Sequence, residues 1–163
     1  MLPLIAKFLH VALAIWFVSG ILGRTLSMWQ ASKSKDIQTT ATLVRMAGYF
    51  EGWMVRPGSI AVLGFGLITA WLQHWPVLGS LQGTPINWLL VSTVVFLSGV
   101  PIIPLVFIPR GKVFAAALEQ AVSLGQVTAE LKAAFYDRVV RMAHTYELGV
   151  IVVVTLLMVL KPF

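Results

Sequence analysis

The chain has 163 residues, 58% of them apolar and 11% charged, with a formal net charge of +6. Mean hydropathy is +0.88, whereas a water-soluble domain carries about 25% charged residues to cover its surface. This balance excludes an ordinary cytosolic enzyme, a disordered chain and a nucleic-acid reader. The absence of cysteine excludes disulfides, thiolate metal sites and cysteine nucleophiles.

A hydrocarbon core of about 30 Å needs around 20 mostly apolar helical residues. Residues 4–23 form the first such stretch. A cleaved leader is the competing reading, but the apolar run is long and no small-x-small cleavage site follows it. It also contains His10 and Trp16, and Arg24 closes it. In residues 36–56, Leu43, Met46, Phe50 and Trp53 recur at helical spacing, predicting an amphipathic helix that runs straight into the second span. That span covers 57–72, and the step Arg56-Pro57-Gly58 opens or kinks it. Residues 74–85 hold no Lys, Arg, Asp or Glu. The third span, 86–108, holds Gly99, Pro101 and Pro104, with Pro109 after it. Interior prolines each remove a backbone donor, so a kinked helix is expected. A helix from 112 to 124 should end at Gly125 in the C′ position. Thr128 then caps a new helix with Glu130 in its first turn. Leu131, Phe135, Val139, Met142 and Tyr146 form one stripe on it. It is expected to continue unbroken into the fourth span, 143–160, with residues 112–142 forming the second cytoplasmic helical segment.

The fold expectation is one all-α transmembrane domain over 1–163: a four-helix bundle with helices two and four extended into the cytoplasm. Arg24, Lys33, Lys35, Arg45 and Arg56 lie between spans one and two. Arg110, Lys112, Lys132, Arg138 and Arg141 lie between spans three and four. Positive residues mark cytoplasmic loops. Both termini are therefore expected outside a bacterial-type cytoplasmic (inner) membrane, with Trp71, Trp75 and Trp88 forming an outer aromatic belt.

His10 is the first candidate for chemistry, because an ionisable side chain within a span marks function by default. Neutral imidazole ligates haem iron or copper; alternatively it bonds a Ser, a Thr or a backbone carbonyl inside the bundle. At about 1.5 Å per residue, His10 is level with Gly66, Val94 and Val154, near Thr69, Ser92, Thr93 and Thr155. No second histidine or methionine shares that level, so a single-histidine site, or one completed by a second copy, is the form a ligand site takes. Gly64 and Gly66 allow close helix packing or leave a slot for a flat cofactor; facing lipid, they would suit a homodimer. His144, roughly 15 Å from the His10 level, is expected in a polar inner cluster with Arg24, Glu51, Arg56, Arg141 and Glu147. Such a cluster would bind an anionic lipid headgroup or a haem propionate, or simply tie helix ends together as a salt-bridge layer. No soluble catalytic constellation is evident.

Three stretches carry a family resemblance. They are Lys7-Phe8-Leu9-His10 followed by Trp16-Phe17, Gly20 and Arg24; then Arg56-Pro57-Gly58; then the run from Glu147 to Leu160-Lys161-Pro162-Phe163. Together they resemble the HemJ-type protoporphyrinogen oxidases and the wider CopD-like group. They are most similar to a sister family of small predicted integral membrane proteins of unknown function. The resemblance implies haem b on the first-span histidine, here His10, and a redox or porphyrin-handling role. HemJ-type proteins also have an essential lysine, sought here in span three, whose segment Trp88-Leu89-Leu90-Val91-Ser92-Thr93 has neither Lys nor His. Two alternatives accompany that expectation. One is a non-catalytic bundle acting as an accessory subunit or small-ligand or metal-handling protein. The other is the full oxidase.

Overall fold

The computed structural model describes residues 1–83 and 85–162, so Phe163 of the C-terminal motif lies outside the described residues. All regular structure among them is helical. Helix α1 is Leu2–Lys33, started by Pro3, whose missing N–H costs nothing in a first turn. At about 1.5 Å per residue its 32 residues span roughly 48 Å, well beyond a hydrocarbon core. The helix therefore carries Arg24 onward past the apolar stretch expected at 4–23.

Helix α2 (Ile37–Phe50) returns along α1. Asp36 caps it: Oδ2 accepts from the Thr39 amide at 2.7 Å and from the Thr39 hydroxyl at 2.6 Å. A wide turn, Glu51–Val55, joins α2 to α3 (Arg56–Leu72). The reason is Pro57, which lacks an N–H and whose ring would strike the carbonyl four residues back. The helix widens so that the Arg56 amide reaches the Glu51 carbonyl instead. The same device recurs before Pro109. The wide turn Ile103–Phe107 leads into α5 (Ile108–Ser123), and the Ile108 amide bonds the Ile103 carbonyl. Such widened turns are rare and concentrate at functional sites.

Three helical runs are long and apolar enough to cross a membrane: Leu2–Lys33, Ile37–Leu72 and Ala129–Leu160. The stretch expected as one third helix is divided. Helix α4 is only Trp88–Leu97, about 15 Å long. Turns follow over 98–101 before the wide turn and α5. Pro101 removes a donor and Gly99 weakens the helix, so the backbone there closes three-residue turns: Gly99 to Phe96, Val100 to Leu97, Ile102 to Gly99. The second departure lies at 136–137. Helix α6 (Ala129–Phe135) stops and Asp137 caps a new helix, α7 (Arg138–Leu160), accepting from the Val139 and Val140 amides. The expected single stripe is split accordingly. Leu131 is fully buried and Phe135 partly so, while Val139, Met142 and Tyr146 are exposed.

Two apolar clusters hold the elements together. Phe17, Ile21 and Val55 are buried with Val62, Phe96 and Ile151 around them, joining α1, α3, α4 and α7. At the other end, where the basic residues gather, Ile37, Ala121 and Leu131 pack with Phe114, Leu118 and Phe135. The buried face of α2 is Ile37, Thr40 and Ala47, rotated from the expected stripe, and Met46 and Trp53 face outward. Thr40 can be buried because its hydroxyl bonds the Asp36 carbonyl. Large apolar side chains such as Leu4, Phe8, Ile15, Trp16, Ile60 and Val159 are exposed, as lipid solvation permits and water does not.

Two helix ends use the same hydrogen-bond pattern with different residues. At the end of α5, Gly125 (φ +68°) holds the left-handed position while Gln126 bonds Ala121 and Gly125 bonds Val122. At the end of α3, His74 (φ +55°) does the same job, with Trp75 bonded to Ala70 and His74 to Trp71. A side chain is strained there and glycine is not. His74→Gly is therefore expected to raise thermal stability in detergent, and Gly125→Ala to lower it by about 1 kcal/mol. Asp36 supplies a pH test. Hydrogen bonds from the Thr39 hydroxyl and amide hold its carboxyl below the usual 3.8. Its stabilisation of α2 is then complete above the unfolded value and is lost as pH falls through the lower folded value. Amide exchange at the start of α2 should accelerate through that window in the native protein, and Asp36→Ala should abolish the dependence.

Candidate functional site

Charge inside the apolar part of the molecule is concentrated on α1 at Arg24, whose side chain is only 11% exposed. Its Nη1 donates to Glu51 Oε2 at 2.7 Å, and its Nη2 donates to Glu147 Oε2. Glu51 begins the wide turn before α3, and Glu147 lies on α7, so one guanidinium ties three elements. His144, one turn before Glu147, places Nδ1 3.2 Å from Glu147 Oε2 and 3.3 Å from Arg24 Nη2. Nδ1 serves only one of these at a time: protonated it donates to Glu147, and bare it accepts from Arg24. The Phe107 ring stacks on the imidazole at 4.7 Å between centroids. Arg56, largely exposed, closes the rim with Nε 3.2 Å from Glu51 Oε1.

Glycines make this possible. A Cβ on Gly23 would lie 2.6 Å from the Phe50 ring, and one on Gly20 would lie 2.5 Å from Met54 Cβ. Their absence lets the turn carrying Glu51 close onto α1. Sequence reasoning singled out Gly64 and Gly66 and gave Gly20 and Gly23 no packing role. The signal was there, since Gly20 and Gly23 lie one turn apart and immediately precede Arg24.

Of the expected inner cluster, Arg24, Glu51, Arg56, His144 and Glu147 are together. Arg141 is not; it lies on the exposed side of α7 with Arg138, Met142, Thr145 and Tyr146 along an open groove. Tyr146 reaches Ser98 at 2.6 Å, pinning the turn after α4 to α7.

His10 is separate, roughly 21 Å from Arg24 along α1. Its Nδ1 lies 3.0 Å from the Val62 carbonyl of α3. That carbonyl can only accept, so Nδ1 carries the proton and Nε2 keeps its lone pair. The ring rests on Gly66, where a Cβ would lie 3.0 Å from Cε1. Gly66 therefore makes room for the imidazole, while Gly64 faces open space. Three of the four hydroxyls expected near this level turn to their own helices: Thr69 to Phe65, Ser92 to Trp88 and Thr93 to Leu89. Among the described residues no group of three or more His, Asp or Glu side chains is placed to hold a metal ion.

Long apolar helices, a lipid-like exposed surface and an internal ion-pair layer define a polytopic α-helical membrane protein. Residues 4–162 match the family described as predicted integral membrane protein, DUF2269, and the chain belongs to that family. No curated protein and no solved structure matches it.

Removing Arg24 leaves Glu51 and Glu147 facing one another without the cation between them. Arg24→Gln is expected to destabilise the protein by about 3 kcal/mol, read as the thermal midpoint in detergent. Arg24→Gln combined with Glu147→Gln should recover part of that loss.

Proposed function

We propose that the protein is a four-helix bundle of the cytoplasmic membrane that binds haem b through His10. Both termini face outward, and the basic connections lie in the cytoplasm. The asymmetry of Lys and Arg supports that orientation. The broken run from α4 through Phe107 supplies the fourth crossing, supported by its place against α7 and by Phe96 in the shared core.

The observation that carries the haem reading is the hydrogen bond from His10 Nδ1 to the Val62 carbonyl. Metal-ligating histidines typically use their other ring nitrogen in this way, which fixes the tautomer and raises ligand basicity. Haem held there would supply one-electron chemistry, with its potential set by the axial ligand and the apolar surroundings. His10 would be the one histidine of this chain to hold the iron there. Open space before Gly64 leaves room for a helix of a second copy, so a homo-oligomer fits this reading. The Arg24 layer plays no part in holding the propionates, because both edges of the guanidinium are taken by Glu51 and Glu147. Arg24, Arg56 and His144 are instead the structural tie of the bundle. With no lysine or histidine in span three, porphyrin handling or electron transfer fits better than the full oxidase reaction.

The second reading is a non-catalytic accessory bundle, favoured by the same hydrogen bond if His10 only pins α1 to α3. A visible absorption spectrum of the protein purified in mild detergent, before and after dithionite, separates the two. A Soret band with bands that sharpen on reduction, lost in a monodisperse His10→Ala variant, is expected. A colourless protein after expression with excess haem precursor would overturn the haem reading and leave the accessory bundle.

A further inference from the structure

At the end of the molecule where α3 stops, α4 begins and α7 ends, Trp75 and Trp88 meet edge-to-face, their centroids 5.4 Å apart. The corner is rigidly framed. The Trp75 amide bonds the Ala70 carbonyl, and Asn87 Nδ2 donates to the Pro76 carbonyl at 2.8 Å. Asn87 Oδ1 in turn caps α4 through the Leu90 amide. Lys161, held in a left-handed backbone conformation (φ +45°), places its ammonium 4.7 Å from the Trp75 ring centroid and 5.4 Å from that of Trp88. These three residues, with Pro76, Asn87 and Leu89, line a cavity of about 230 Å³. None of the chain's six acidic residues lines it. Among the described residues the ammonium is held by π faces with no side-chain carboxylate, which is how aromatic cages hold alkylammonium groups.

We propose that the Trp75–Trp88 corner binds the ammonium of an aminophospholipid headgroup, with Lys161 as a built-in occupant that the lipid displaces. The location selects a lipid. Three helix ends converge here, and the exposed Val159 and Leu160, which precede Lys161 on α7, offer an apolar track for an acyl chain. A zwitterionic headgroup satisfies both partners. Its ammonium enters the cage, and its phosphate pairs with the released Lys161, which forms no salt bridge with a side chain among the described residues. Free alkylammonium shares only the first half of that chemistry.

The test is a titration of the detergent-solubilised protein, followed by tryptophan fluorescence, with tetramethylammonium and with short-chain phosphatidylethanolamine. Trp75→Ala or Trp88→Ala, read through the remaining ring, should weaken both by about tenfold, and the double substitution should remove the fluorescence response. Lys161→Gln separates the two ligands. Without its competitor, tetramethylammonium should bind severalfold more tightly, whereas phosphatidylethanolamine should lose its phosphate partner and bind relatively more weakly. Equal response to phosphatidylglycerol of the same chain length would overturn recognition of the ammonium. A Lys161→Gln effect of the same sign on both ligands, or on neither, would overturn the exchange between lysine and headgroup.

Discussion

A guanidinium inside an apolar bundle is the constraint around which this structure is organised. Arg24 cannot lose its proton in a protein, so its charge has to be matched by other elements of the fold. Two carboxylates do so, one from the turn before α3 and one from α7. Each could approach only if the backbone allowed it. Gly20 and Gly23 remove the side chains that would hold the Glu51 turn away. Ala143, buried one residue before His144, lets α7 sit close at the same level. Direct contact of α1 is chiefly with α2 and α3, while α4 packs on α7. The Arg24–Glu147 bond and Phe17 against Phe96 link those two halves in the middle of the molecule, with Ile37 on Ala121 and Leu131 at one end and Trp75 on Trp88 at the other.

The two widened turns belong to the same design. Each precedes a proline by two residues, and each is followed by a continuous helix. In each widened turn the amide before the proline bonds a carbonyl five residues back, so it stays paired where lipid offers no partner. It also shifts the register of side chains around the axis. The first such turn contains Glu51, and the second ends at Phe107, which stacks on His144. The irregular backbone therefore delivers both a charged partner and an aromatic cover to the polar layer. Strictly regular helices would keep these residues on the faces set by the helices before them.

Much of this was legible from residue types. Gly125, Thr128 and Glu130 mark helix ends through local hydrogen-bond chemistry, and local chemistry survives folding. The membership of the polar layer, Arg141 apart, was legible because charges at helix ends have few places to go in a membrane. What hydropathy does not encode is helix continuity. Lipid solubility is additive over residues 86–108, yet Gly99 and Pro101 stop α4 within it. At 136–137 the opposite blindness applies: a helical stripe reads through, while Asp137 takes two amides for itself and starts a new helix. The face of α2 was misjudged for a third reason. Large apolar residues mark the buried face in water, but in lipid Met46 and Trp53 are solvated outside, and small residues such as Ala47 mark the contact.

The same inversion bears on His10. In a water-soluble core, a histidine bonded to a main-chain carbonyl reads as a satisfied polar group. Here Thr69, Ser92 and Thr93, near it in depth, have turned to their own helices. A purely structural role needs only one hydrogen bond between α1 and α3, which a serine or asparagine would supply at lower desolvation cost. Imidazole adds a basic nitrogen, held in one tautomer by Val62 and given space by the absent side chain of Gly66. The proposed haem site rests on that combination. The polar layer at Arg24, by contrast, is internally matched and accounts for cohesion.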